Sequence, residues 1–184
     1  MTFLEINWLI FCLVWLVAAL VVKPTKERES VASRLGTVGF LALTAALLAG
    51  RINFDGFDMR VFPDARLVRI AGDAITAIGL LTAIWARFAL GGNWSGTITF
   101  KQGHELIQRG PYRWVRHPIY TGLLSMILGT AIVKGRVSGF LALAVCFVGT
   151  WRKLRCEEAL LARHFSDEYP RYMARTKALV PCIL

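Results

Sequence analysis

Five long apolar runs dominate the sequence and restrict what the chain can fold into. They cover residues 6–22, 35–50, 70–90, 119–133 and 137–151. Over the whole chain 55% of residues are hydrophobic and 18% are charged, and the mean hydropathy is +0.51. A soluble domain of 184 residues is ordinarily much less apolar than this. The pattern predicts an all-α integral membrane protein with about five transmembrane helices.

The last two apolar runs are shorter than a membrane span usually requires. Each has 15 residues, whereas an α-helix needs about 20 residues to cross the hydrocarbon core. They can still cross the bilayer if flanking residues extend the helices and Lys or Arg side chains snorkel to the interface. The short connection 134–136 is consistent with a tight antiparallel hairpin. A re-entrant pair that does not cross is the alternative.

Basic residues are unevenly divided between alternate connections. Segments 23–34, 87–116 and 152–184 contain 16 of the 22 Lys and Arg residues. Because cytoplasmic loops of membrane proteins are enriched in Lys and Arg, the N-terminus is predicted outside and the C-terminus inside. The basic residues form short clusters between apolar runs, so the net charge of +10 indicates membrane topology, and no nucleic-acid partner is expected.

The four cysteines give no sign of a metal site. Cys12, Cys146, Cys156 and Cys182 are widely separated, with no Cys-x-x-Cys pair and no neighbouring histidine at ligand spacing. We interpret them as small apolar side chains and expect no metal. No internal repeat or linker divides the chain, so a single membrane domain over residues 1–184 is expected.

The longest polar connection, residues 91–118, reads GGNWSGTITFKQGHELIQRGPYRWVRHP. Its glycines and prolines exclude one continuous helix and predict a folded loop. Irregular backbone beside a membrane has to pack on protein or line a cavity, because lipid cannot bind its amides. Pro118 falls where the fourth helix should begin, which places His117 near the N-cap and Tyr120 one turn later. Both side chains can then face a polar ligand at the positive end of that helix.

A second polar cluster, WRKLRCEEALLARHFSDEYPRY, follows the fifth apolar run. If the helix continues, Lys153 and Glu157 are four residues apart and Arg155 and Glu158 are three apart, which is the spacing of ordinary surface ion pairs. The Glu pair also lies just beyond a predicted membrane exit. At that position it is well placed to bind a cationic group of a cofactor, such as a sulfonium or an ammonium.

The order of these residues resembles the isoprenylcysteine carboxyl methyltransferase family, which is related to the phospholipid methyltransferases. The matching elements are His104 with Leu106 and Ile107, Gly110 with Tyr112, Arg116, His117 and Pro118 with Tyr120 and Gly122, Glu157 with Glu158, and Phe165 with Tyr169. The resemblance spans roughly residues 85–181. It implies a catalytic part in residues 91–184, preceded by three N-terminal helices in residues 1–90.

The resemblance implies an S-adenosylmethionine-dependent methyltransferase whose cytoplasmic cofactor pocket is formed by the 91–118 loop and the C-terminal helix. The residues it implies as cofactor contacts are His104, Glu105, Leu106, Ile107, Tyr112, His117, Pro118, Ile119, Tyr120 and Glu157. The implied partners are the lipid bilayer and a lipophilic small-molecule or prenylated acceptor. The implied reaction is methylation of a carboxylate on a prenylcysteine-like or other lipophilic acceptor.

Family members hold the substrate carboxylate with a basic residue one turn before the Glu pair. Lys153 occupies this position where an Arg is expected, so either Arg152 or Arg155 assists it or the substrate differs. A carboxylate acceptor is already ionised at neutral pH, so no general base is assigned. Alternatives on the same fold are phospholipid N-methylation and thiol S-methylation. Alternatives of another kind are a sterol-reductase-like NADPH enzyme and a non-catalytic membrane scaffold or small transporter.

Overall fold

The computed structural model describes most of the chain. The described residues are 1–20, 25–28, 30–52, 59–94, 99–101 and 105–183, and within 25–28 and 99–101 the description is of the backbone. His104, a proposed cofactor contact, lies outside these ranges. The elements in chain order are α1 (Phe3–Ala18), β1 (Thr25–Arg28), α2 (Val31–Ala49), α3 (Arg66–Leu90), β2 (Thr99–Lys101), α4 (Pro118–Lys134), α5 (Val137–His164) and α6 (Glu168–Arg175).

Each of the helices α1 to α5 contains most of one of the five apolar runs. Within the described ranges three helices, α2, α3 and α5, are long and apolar enough to cross a membrane, whereas α1 and α4 have 16 and 17 residues. The all-helical membrane fold is therefore confirmed, with one short addition: β1 and β2 pair as an antiparallel ribbon. That all five helices cross the bilayer stays a prediction.

The start and end of α4 follow local sequence signals. Pro118 occupies the first helical position after His117, as predicted, because a proline there loses no helical hydrogen bond. The helix ends at Gly135, whose φ of +63° lies in the left-handed region that glycine adopts without strain. α5 begins two residues later and continues without a break to His164, so the Glu pair is helical.

Helix α4 packs closely against α3 through small residues. A Cβ atom placed on Gly79 would lie 2.6 Å from the carbonyl oxygen of Gly122, and one on Gly129 would lie 2.4 Å from that of Gly72. Such approach is possible only without side chains, which is the usual role of small residues between membrane helices. This contact fixes α4, and with it the first turn that carries Tyr120.

Candidate functional site

A cavity of about 470 Å³ lies between α1, α2, α4 and α5. Its polar end is lined by Asn93, Tyr112, Arg116, His117, Tyr120, Thr150, Lys153 and Glu157. Its remaining lining is mainly apolar and includes Trp8, Phe11, Trp15, Phe40, Leu41, Leu90, Trp94, Ile119, Leu123, Cys146, Leu160 and Leu161. One partly open cavity therefore joins charged groups to an apolar compartment, which is the composition of many small-molecule sites.

Glu157 presents a partly buried carboxylate to the polar end of this cavity. The Tyr120 hydroxyl donates a 2.6 Å hydrogen bond to its Oε1, and His117 Nδ1 lies 3.7 Å from its Oε2. The Glu157 side chain is 23% exposed. An ionised carboxylate can accept about four hydrogen bonds, so Glu157 has capacity left for a donor group of a bound molecule.

Glu158 has a different environment although it is the next residue. Its side chain is 5% exposed, and its Oε1 accepts a 2.7 Å hydrogen bond from Arg116 Nε. His117 Nε2 lies 3.3 Å from the same oxygen. Since consecutive helical residues point about 100° apart, one carboxylate of the pair faces the cavity and the other is held in a buried ion pair. His117 lies between them.

The C-terminal tail closes this arrangement from behind. The backbone N–H of Arg116 donates to the carbonyl of Lys177 at 2.8 Å, and that of His117 donates to the carbonyl of Ala178 at 3.0 Å. The Arg116 guanidinium also donates to the carbonyl of Thr176. Because the tail binds both main chain and side chain of this segment, it fixes the residues that orient the Glu pair.

Tyr112 forms part of the cavity wall and is held by α6. The Tyr172 hydroxyl donates a 2.6 Å hydrogen bond to the Tyr112 carbonyl. Burial raises the pKa of the Tyr112 phenol well above its usual value, and burial raises the pKa of Tyr172 to about 12. Both phenols are therefore neutral near pH 7, and Tyr112 presents an uncharged aromatic ring to the cavity.

Of the other predicted cofactor contacts, one lines the cavity and the rest of those described do not. Ile119 lines the cavity, whereas Pro118 is buried in the first turn of α4 and does not line it. Among the described loop residues, Glu105 is exposed and Leu106 and Ile107 are half-buried, and none of the three lines the cavity.

The three basic residues proposed for the substrate are also separated. Lys153 lines the cavity, with its Nζ 5.8 Å from the centre of the Tyr120 ring. The Arg152 guanidinium lies 6.0 Å from the centre of the Phe40 ring. Arg155 is exposed, and its Nη1 lies 3.7 Å from Glu158 Oε2. Of the three, Lys153 is placed to meet a molecule in the cavity.

Many cavity residues escaped the sequence interpretation, including all those on α1 and α2. Trp8, Phe11 and Trp15 recur every three or four residues, which places them on one face of α1. That spacing was readable in the sequence, but α1 is apolar on all sides, so no face stood out.

Within the described residues, no group of three or more His, Cys, Asp or Glu side chains could hold a metal ion.

Arg87 was also missed, and it supports the wall where α1 meets the end of α3. It is 3% exposed, and its guanidinium donates to the carbonyls of Gly91, at 2.8 Å, and Ala18. The guanidinium carbon lies 4.5 Å from the centre of the Trp94 ring, a cation–π distance. Arg87 therefore joins α1 to the turn that carries Trp94.

Comparisons with known proteins place the chain in a family. Residues 67–168 match the family described as Phospholipid methyltransferase, which is more than half of the chain. A protein-S-isoprenylcysteine O-methyltransferase from Saccharomyces cerevisiae is 27% identical over 135 residues, which cover 68% of this chain and 55% of the relative. A protein of the same name from Schizosaccharomyces pombe is 35% identical over 81 residues, or 44% of this chain and 34% of the relative.

The fold is similar to that of a solved membrane protein. The structure of a eukaryotic intramembrane Ras methyltransferase, isoprenylcysteine carboxyl methyltransferase, aligns with a TM-score of 0.61 at 19% identity. The alignment covers 84% of this chain and 54% of the other. The matched residues thus span about half the length of the Saccharomyces cerevisiae relative and of the protein in this structure.

Proposed function

The chain belongs to the phospholipid methyltransferase family, in agreement with its predicted kinship to isoprenylcysteine carboxyl methyltransferases, and from this premise we propose that it transfers a methyl group from S-adenosylmethionine to a carboxylate on a lipophilic acceptor. The observation that carries the proposal is a cavity that joins a charged end to an apolar compartment. A polar donor and a lipid-bearing acceptor can meet there, shielded from water.

The polar end contains the groups that an S-adenosylmethionine site requires. Glu157 accepts the ammonium of the aminoacyl end, and the Tyr120 hydroxyl keeps its carboxylate in place. The aromatic rings of Tyr112 and Trp94 offer flat apolar surfaces to the adenine. Ile119 and His117 complete this wall. His104, Glu105, Leu106, Ile107 and Pro118 remain proposed contacts on the strength of the resemblance.

The acceptor carboxylate is assigned to Lys153. Its ammonium lies on the cavity wall one helical turn before Glu157, beside the Tyr120 ring. An ammonium attracts a carboxylate as a point charge and does not form the bidentate pair that a guanidinium makes. Arg152 and Arg155 keep the supporting role proposed from the sequence. The apolar tail of the acceptor extends among the aromatic side chains of α1.

The chemistry then asks little of the side chains beyond alignment. When bound, S-adenosylmethionine supplies a methyl group already activated by its positively charged sulfur, which leaves as a neutral thioether. A carboxylate is ionised near pH 7, so no proton has to be removed and no general base is needed. Lys153 and Glu157 hold the acceptor and the donor in line, an effect that can contribute up to ~7–11 kcal/mol. His117, between the two glutamates, is a positioning residue.

We place the polar end of the cavity on the cytoplasmic side of the membrane, with the N-terminus outside. The asymmetry of Lys and Arg supports this orientation, because 16 of 22 belong to the connections on that side. S-adenosylmethionine would then enter from the cytosol, and the acceptor tail from the bilayer.

The matched family supports one second candidate, methylation of a phospholipid amine. An amine has to lose a proton before or during methyl transfer, whereas a carboxylate does not. A panel of acceptors separates the two. We expect purified protein with labelled S-adenosylmethionine to methylate N-acetyl-S-farnesylcysteine and not phosphatidylethanolamine or a small thiol. Label found on phosphatidylethanolamine alone would favour the second candidate, and label on none of them would contradict methyl transfer to these classes.

A further inference from the structure

The apolar compartment of the cavity ends at a defined level on each surrounding helix. The lining extends along α1 as far as Trp8, along α2 as far as Leu41, along α4 as far as Leu123 and along α5 as far from Glu157 as Cys146. On α1 the opposite end of the lining is Trp15, whose ring lies 6.4 Å from that of Trp94. Trp8 and Trp15 are seven positions apart, or about 10 Å along a helix. The cavity therefore has a floor at a finite depth.

Trp8 is the largest side chain at this floor, and it is fixed there. Its indole Nε1 donates a 3.1 Å hydrogen bond to Oγ1 of Thr130, which is 4% exposed. The Thr130 hydroxyl in turn donates to the carbonyl of Met126 at 2.8 Å, so its hydrogen-bonding geometry is complete. Phe11 packs edge-on against the indole, with ring centres 5.8 Å apart. If the ring swung away, this bond would break and the indole N–H would lose its acceptor.

Thr130 lies about two helical turns beyond Leu123, the last lining residue of α4. The indole thus occupies the space that would continue the cavity along α4. We propose that Trp8 sets the greatest length of apolar tail that the acceptor can carry, an inference that rests on the proposed function. Tail carbons that extended beyond the floor would clash with the indole ring of Trp8.

The size of the effect follows from the burial of carbon. Each methylene moved from water into an apolar site improves binding about fourfold. An isoprene unit for which the cavity has no room does not improve binding in this way. Trp8→Ala removes most of the floor and should let one more isoprene unit be buried. Leu9→Ala is the matched control, because Leu9 lies on the same helix, is 46% exposed and does not line the cavity.

The test compares N-acetylcysteines that carry S-geranyl, S-farnesyl or S-geranylgeranyl tails, which differ by one isoprene unit each. The measured quantity is the ratio of kcat/KM for each tail to that for the next shorter one. We expect Trp8→Ala to raise this ratio for the longest tail by about tenfold or more, since burial of only two further carbons has this effect, and Leu9→Ala to leave it unchanged. Thr130→Val keeps the shape but removes the acceptor of the indole bond, and should change the ratio in the same direction by less.

A second readout separates this inference from the proposed function. The shift in Tm produced by each compound without S-adenosylmethionine reports tail binding alone. If no compound is methylated but the tail giving the largest shift becomes longer in Trp8→Ala, the floor stands and the proposed function fails. Should Trp8→Ala not fold, Trp8→Leu removes less volume and is read in the same way. The same tail preference in wild type and variant, or no dependence on tail length in either readout, would overturn the proposal.

Discussion

The Tyr120 hydroxyl donates a 2.6 Å hydrogen bond to Glu157 Oε1 and thereby joins the first turn of α4 to the later part of α5 at the polar end of the cavity. The next residue, Glu158, is bound instead by Arg116 and is nearly excluded from solvent. Replacing Glu157 is therefore expected to affect the protein differently from replacing Glu158, although both side chains are carboxylates.

Replacing each glutamate in turn should separate binding from stability. We expect Glu157→Gln to weaken S-adenosylmethionine binding roughly 10- to 100-fold, because a charge-assisted hydrogen bond contributes ~1.5–3 kcal/mol, with little change in Tm. We expect Glu158→Gln to lower the free energy of unfolding by up to about 3–5 kcal/mol, since it leaves the buried Arg116 charge unpaired. Calorimetry with the donor and thermal unfolding in detergent measure the two effects. Equal small effects of both changes would mean that Glu157 does not bind the donor and that Glu158 does not stabilise the fold.

Lys153 should decide how well the carboxylate of the acceptor is held. We expect Lys153→Met to raise KM for the acceptor about tenfold or more, because a charge-assisted contact is lost, while binding of S-adenosylmethionine changes little. Lys153→Arg should retain most activity, since a guanidinium also pairs with a carboxylate. Arg163→Met, which changes an exposed residue farther along α5, serves as the control. An unchanged KM in Lys153→Met would show that another group binds the carboxylate.

Arg87 should matter for stability although it does not line the cavity. Arg87→Met removes the donors of the Gly91 and Ala18 carbonyls, and we expect it to lower the free energy of unfolding by about 2–4 kcal/mol. Arg87→Lys should rescue only part of this loss, because one ammonium does not reproduce the planar fork of a guanidinium. Arg66→Met changes an exposed arginine on the same helix and should have little effect. Equal Tm values for Arg87→Met and Arg66→Met would contradict this role.

The close contact between α3 and α4 can be tested with a pair of glycines. A Cβ atom on Gly79 would lie 2.6 Å from the Gly122 carbonyl oxygen, whereas one on Gly36 in α2 would meet no atom within 4 Å. We expect Gly79→Leu to destabilise the fold by about 1–3 kcal/mol or more through overpacking and to weaken S-adenosylmethionine binding, since α4 carries Tyr120. Gly36→Leu should leave both unchanged. Thermal unfolding and calorimetry on the two variants provide the comparison, and similar behaviour of both would contradict close packing of α3 on α4.

The parts of the fold that could be predicted are those determined by residues close together in the sequence. Hydropathy marks the five helices, and the start of α4 follows from Pro118 because a proline at the first helical position leaves a local signature. A continuation of the fifth helix through the Glu pair was considered from the sequence only as a condition, and α5 does continue to His164.

The arrangement of the cavity could not be predicted, because it depends on contacts between distant residues. Nothing near Trp8 indicates that it binds Thr130, which is 122 residues away. The return of the tail, where the carbonyl of Ala178 accepts from His117, is equally non-local. The resemblance to a known family implied Glu157 alone as a cofactor contact. That Glu157 is bound by Tyr120 and Glu158 by Arg116 is again a set of contacts between distant residues.

The central claim is methyl transfer to a carboxylate at the polar end of the cavity, and one matched pair of acceptors tests it most directly. Purified protein is supplied with labelled S-adenosylmethionine and either N-acetyl-S-farnesylcysteine or the carboxamide of the same compound. We expect alkali-labile label, the sign of a methyl ester, on the carboxylate compound and none on the carboxamide, and we expect Glu157→Gln to reduce it strongly at limiting donor. Absence of labelled ester from the carboxylate compound, with the protein folded and the donor bound, would contradict the claim.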